Sequence, residues 1–173
     1  MDTDTIHTCR LSEDELGQFT RMHRRMLPIR NKNFKNLHIK NKQIKDNLQP
    51  ILDKSFSVLR SNNIDDFDNT TYHMEFHQRN CGFEKKKVGT WFDWHKDDSA
   101  ATKYRVYSVL FYIRKDIAVK GGDIDFRIGE DIYTHTITTG DIVQFKGDIL
   151  HRPQEATGFG CRDLIVVFVK RNK

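Results

Sequence analysis

The chain is poor in the residues that staple or punctuate small folds. Its three cysteines, Cys9, Cys81 and Cys161, are odd in number and widely spaced. They form no disulfide framework and no CxxC pair, which argues against a zinc ribbon and for a reducing, intracellular compartment. Proline occurs three times, and no Gly/Ser/Pro-rich stretch divides the 173 residues, so one domain spanning 1–173 is expected. No internal repeat is visible. No apolar run approaches the roughly 18 residues of a membrane helix, so no transmembrane segment is expected. The first residues, Met1-Asp2-Thr3-Asp4-Thr5, lack the apolar core of a signal peptide. Acidic residues are missing from one stretch: Arg21 to Lys45 holds nine Arg or Lys and no Asp or Glu, within a chain of net charge +5. Such a stretch is either a solvated basic face or a surface for nucleic acid, an anionic membrane or an acidic protein. No nucleic-acid-binding motif accompanies it.

What is present divides into two regions. The first, residues 1–65, reads as a helical support region. Ser12-Glu13-Asp14-Glu15 has the serine-to-glutamate spacing of a capping box, with Leu11, Leu16 and Phe19 at helical intervals, and Pro28 bounds the helix. A second helix is predicted over Ile39–Arg60, because Ile44, Leu48, Ile51, Leu52, Phe56 and Leu59 recur at steps of three and four. Pro50 predicts a break or kink within it. His7, His23 and His38 fall in this region and are expected to be exposed.

The second region, residues 70–170, reads as strands. Tyr72, Met74 and Phe76 alternate with polar residues, and Val88–His95 is rich in β-formers and aromatics. Arg105–Ile113 and Leu164–Val169 are nearly continuous apolar runs, as strands buried on both faces would be. Gly121-Gly122 and Thr139-Gly140-Asp141 mark turns before short strands, and Ile132–Ile137 is a further strand. Many short strands behind a helical layer predict a mainly β fold, a jelly roll or double-stranded β-helix.

Three residues carry the chemistry. His95-Lys96-Asp97 places two metal-binding side chains on one face of an extended segment, and His151 follows 54 positions after Asp97. Two histidines and a carboxylate are the facial set that holds non-haem Fe(II) with positions left open. HxD alone is weak in a chain with eight histidines; it gains weight from His151 and from Arg162, 11 positions later, whose guanidinium suits a carboxylate. His73 and His77 alternate on a strand, but Glu75 points away from them. His135 reads as structural. Trp91, Phe92 and Trp94, next to the triad, are either a substrate wall or core.

These residues resemble the Fe(II)/2-oxoglutarate-dependent dioxygenase superfamily, and within it the prolyl-hydroxylase-like branch. The resemblance runs from about Thr70 to Lys170. It rests on His95-Lys96-Asp97, on Arg105 through Ile113, on Gly121-Gly122-Asp123-Ile124-Asp125-Phe126, on Gly140 through Phe145, and on His151-Arg152-Pro153 through Gly160-Cys161-Arg162. It departs from the family where Ile113-Arg114 replaces Leu-Asn and Asp123 replaces glutamate. Gln78 stands roughly where an upstream tyrosine is common. Phe168 stands where AlkB-like nucleic-acid demethylases carry a second arginine.

The resemblance implies His95, Asp97 and His151 as iron ligands, and Arg162 as the partner of the distal carboxylate of 2-oxoglutarate. It implies that the Tyr112 hydroxyl supports that carboxylate, although by its position Tyr112 reads equally as a core aromatic. It further implies Fe(II) and 2-oxoglutarate as cofactor and co-substrate, supporting ascorbate, O2 as oxidant, and hydroxylation of a C–H bond with release of succinate and CO2. The substrate expected from it is a protein or peptide side chain, proline first. The alternatives are a nucleic-acid substrate, met through Arg21–Lys45, and a non-catalytic jelly-roll or cupin-like binding module.

Overall fold

The computed structural model describes residues 6–26, 35–37, 42–65, 67–77, 93–98, 105–158, 160 and 162–171. Gln78, His38, Cys81, Trp91, Phe92 and Cys161 lie outside them, as do most of the Val88–His95 strand and much of the basic stretch.

Two sheets face each other. The larger contains β1 (Ile6–Arg10), β2 (Lys35–Leu37), β3 (Asp68–His77), β4 (Arg105–Lys115), β8 (Asp141–Lys146) and β11 (Arg162–Lys170), ordered β1-β8-β4-β11-β3-β2 and antiparallel at every pairing. The smaller is β6 (Ile124–Ile128) between β7 (Asp131–His135) and β9 (Leu150–Pro153), and a ribbon pairs β5 (Val119–Gly121) with β10 (Ala156–Gly158). This is the expected double-stranded β-helix, mainly β with an N-terminal helical layer.

The period-two alternation of strands explains the continuous apolar runs. On β4, Val109, Phe111 and Ile113 join Ile165, Val167 and Val169 of β11 and face α1 (Glu13–Met26) and α2 (Lys42–Ser61), meeting Phe19, Leu48, Ile51, Leu52 and Leu59. The intervening Leu110, Tyr112, Leu164, Val166 and Phe168 face inward, onto Ile124 and Phe126 of the small sheet. Both faces of the central strands are therefore buried, and most positions on each are apolar.

The capping box forms as expected. Ser12 N–H donates to Glu15 Oε2 at 2.8 Å, and Glu15 N–H donates to Ser12 Oγ at 3.3 Å. The predicted break at Pro50 does not occur, since α2 runs through it as one helix. A helix-interior proline costs about 3 kcal/mol. Leu48, Ile51, Leu52 and Leu59 are each no more than 1% exposed, and burial contributes roughly 1.5–3 kcal/mol apiece. Pro50 itself is exposed, so its ring meets no neighbouring element.

The first 65 residues are also less helical than expected. β1 pairs with β8 and β2 pairs with β3, so this region extends the large sheet at both edges. Both are short edge strands, and β1 is half-buried to exposed, which leaves little apolar alternation to read. His23 was expected at the surface and is 3% exposed, inside the helix-to-sheet layer.

Candidate metal centre and co-substrate pocket

His151 lies within β9, and its side chain enters the space between the sheets beside Phe145 at 4.6 Å and Phe126 at 6.3 Å between ring centres. His95 is not in a strand proper. It forms an isolated antiparallel bridge to His151, each backbone N–H donating to the other's carbonyl at 2.9 Å. Directly paired residues on antiparallel backbones present their side chains to the same face. The two rings accordingly sit 4.3 Å apart.

The same bridge sends Trp94 the other way. It lies between the guanidinium groups of Arg127 and Arg152, each 4.6 Å from its ring centre. Arg152 is held in turn by the buried carboxylate of Asp125 at 2.9 Å. Trp94 is thus neither core nor a wall beside His95. It packs under two cations on the outer face of the small sheet.

Asp97 completes the cluster. The segment bearing it is tied down where Asp98 N–H donates to Gly147 O at 2.8 Å. Gly147 has to be small, because a Cβ there would overlap the Arg105 carbonyl of β4 and meet Asp98 Cβ at 3.4 Å. One ligand atom from each of His95, Asp97 and His151 falls within 4.8 Å of the others. The Asp97 carboxylate lies 3.9 Å from His95 Nε2 and 3.6 Å from His151 Nε2.

The tautomers follow from the opposite ring nitrogens. His95 Nδ1 is 2.8 Å from Asp93 O, and His151 Nδ1 is 3.0 Å from Ile149 O. A carbonyl only accepts, so Nδ1 carries the proton in each ring. In the neutral form of each ring this leaves Nε2 as the ligating atom, and both Nε2 atoms face Asp97. Two neutral imidazoles and one carboxylate fit a divalent transition metal such as Fe(II).

Burial among aromatic side chains pushes the His151 pKa below the ordinary 6.5; the Asp97 charge opposes this without cancelling it. The consequence for stability has a definite sign. The unfolded chain takes up a proton near 6.5 while the folded one resists it until lower pH, so folding stability is lost as pH falls through that window. The denaturant midpoint of the metal-free protein should therefore fall as the pH drops below about 6.5, and fall less in His151→Gln. Equal acid sensitivity of the two proteins would remove His151 as the source.

Arg162 opens β11 and is 4% exposed. Its Nη1 donates to the Gly122 carbonyl, while among the described residues its Nε has no hydrogen-bond partner. Gly122, at φ +71°, is shaped for this approach. A Cβ there would meet Ala156 Cβ at 2.7 Å and Arg162 Cδ at 3.1 Å. Tyr112 lies near enough for the Arg162 charge to act on its hydroxyl, but burial dominates and pushes the hydroxyl pKa well above its usual value. The phenol is therefore neutral and able to donate. Lys115, in register with Arg162, is already paired with Asp123 at 2.7 Å.

A buried guanidinium with an unused donor, beside a neutral phenol, fits a carboxylate such as the distal one of 2-oxoglutarate. Among the described residues no other histidine joins this cluster. His135 ends β7 with Nε2 3.7 Å from Asp141, and His73 and His77 lie on β3. Sequence reasoning missed Ser108, which donates a short hydrogen bond to Asp97 Oδ2.

The fold is a double-stranded β-helix, shared with solved structures of prolyl hydroxylases and of a 2OG-Fe(II) oxygenase family member. Among solved structures, a prolyl-4-hydroxylase from Pseudomonas putida matches 99% of this chain and 95% of its own at TM-score 0.69 and 12% identity. A viral collagen prolyl hydroxylase from Paramecium Bursaria Chlorella virus-1, in its 2-oxoglutarate complex, matches 99% and 98% at TM-score 0.62 and 14% identity. A prolyl hydroxylase from Trichoplax adhaerens, bound to a peptide of the hypoxia inducible factor oxygen degradation domain, matches 98% and 85% at TM-score 0.69 and 10% identity. No protein-family model and no curated protein matches the chain in sequence. Among the described residues no helix is long and apolar enough to cross a membrane.

Proposed function

We propose that this chain is an Fe(II)- and 2-oxoglutarate-dependent dioxygenase that hydroxylates a C–H bond, with a protein side chain, proline first, as its substrate. The observation that carries the reading is the pairing of two sites. His95, Asp97 and His151 converge with both Nε2 atoms directed at the carboxylate, and the guanidinium of Arg162 is buried with a donor to spare.

When bound, iron and 2-oxoglutarate would supply the oxidising chemistry, coupling decarboxylation to succinate and CO2 with oxygen transfer. The chain's own part is positional. His95, Asp97 and His151 hold the metal from one side and leave its other positions open. Arg162 and the neutral Tyr112 hydroxyl orient the co-substrate through its far carboxylate. Phe126 and Phe145 keep water from the His151 side of the centre. The protein-substrate reading is supported by the likeness to prolyl hydroxylases of bacterial, viral and animal origin, one of them holding a peptide.

With Fe(II), ascorbate and 2-oxoglutarate, the protein should release succinate. Release should rise with a proline-containing peptide that gains the mass of one oxygen. Stimulation by oligonucleotides instead would move the substrate to nucleic acid. Absence of both metal and 2-oxoglutarate binding under anaerobic conditions would leave a non-catalytic binding module.

A further inference from the structure

Ser108 interrupts the apolar part of β4 and is fully buried. It lies in register with Phe145 of β8 on one side and Phe168 of β11 on the other. Packing alone would be served there by alanine or valine, and a hydroxyl withdrawn from water needs a partner. That partner is Asp97: Ser108 Oγ donates to Asp97 Oδ2 across 11 residues of sequence.

Asp97 itself stands on an irregular segment, and its carboxylate has two side-chain torsions with which to turn. The strand below does not turn. A hydrogen bond from β4 therefore transfers the rigidity of the large sheet to the carboxylate. It holds Oδ2, which is 3.6 Å from His151 Nε2, and so sets where Oδ1 stands, 3.9 Å from His95 Nε2.

Resting on the metal centre proposed above, we infer that Ser108 is a positioning residue: it fixes the orientation in which the Asp97 carboxylate meets His95 and His151.

The test uses Co(II) as the probe, with its visible absorption reporting coordination. Ser108→Thr and Ser108→Val have the same shape and differ in the hydroxyl, so their comparison separates hydrogen bonding from packing. Ser108→Thr should bind Co(II) nearly as the wild type does. Ser108→Val should bind roughly 10–100-fold more weakly, as loss of such an outer partner typically costs, and with a changed absorption band. Thermal melting of both metal-free variants checks that they fold. Equal Co(II) affinity and spectra in the Thr and Val variants would overturn the role of Ser108 while leaving the metal centre standing. Failure of the wild-type protein to bind Co(II) would overturn the metal centre, and the inference with it.

Discussion

Replacing His151 by alanine is expected to abolish divalent-metal binding at concentrations that saturate the wild type, and succinate release with it. The loss should exceed the roughly 10–100-fold cost of removing an outer hydrogen-bond partner, because an inner ligand is removed from the proposed set of three. The remaining pair, His95 and Asp97, belongs to one short segment and cannot surround a metal. The substitution also empties a space beside Phe145 and Phe126, so the metal-free stability should fall as well. The two effects are separable. His151→Gln fills most of the space and still lacks the imidazole, so it should lose metal while keeping more of the stability. Titration with Fe(II) under anaerobic conditions, or with Co(II) in air, measures the first effect, and denaturant unfolding without metal measures the second. Metal binding at wild-type strength in His151→Ala would remove His151 from the ligand set.

The second large effect is expected at Arg162. Arg162→Ala should leave metal affinity near that of the wild type and raise the 2-oxoglutarate requirement by a factor on the order of 100, about 3 kcal/mol for truncating a buried, hydrogen-bonded charge partner. Arg162→Lys should recover part of this, since an ammonium supplies charge without the two-pronged fork. The separation of effects is the informative result. Arg162 is seated on the Gly122 carbonyl and lies near Tyr112, on β11 and not on the segments that carry His95, Asp97 and His151. Binding of 2-oxoglutarate followed at saturating metal decides the matter. Equal affinity in wild type and Arg162→Ala would show that the spare donor of Arg162 serves some other group.

Much of the fold is legible in the chain because its signals are local. The apolar runs of β4 and β11 follow from burial on both faces, the capping box of α1 from side chains three residues apart, and the turns at Gly121-Gly122 and Gly140 from positive φ angles of 66°, 71° and 92°. The misreadings have equally local causes. Pro50 carries a helix-breaking signal, and only the burial of Leu48, Ile51 and Leu52 against the sheet overrides it. β1 and β2 are edge strands stabilised by backbone pairing with β8 and β3, which side-chain patterns do not encode. Trp94 sits beside His95 in sequence, yet the pairing of His95 with His151 turns it to the outer face of the small sheet.

By itself the sequence determined the chemistry on offer: two imidazoles, a carboxylate and a guanidinium, in an order and at intervals that suit iron and 2-oxoglutarate. It also indicated that a buried strand would carry the guanidinium. Only the tertiary structure decided that the two imidazoles and the carboxylate meet. The bridge between His95 and His151 joins backbones 56 positions apart, an offset set by the register of β9 on β6 and by the tie from Asp98 to Gly147. The tautomers are set by the carbonyls of Asp93 and Ile149, and the Asp97 carboxylate is held by a serine on another strand. Such contacts depend on distances between segments remote in sequence, and side-chain periodicity carries no information about those distances.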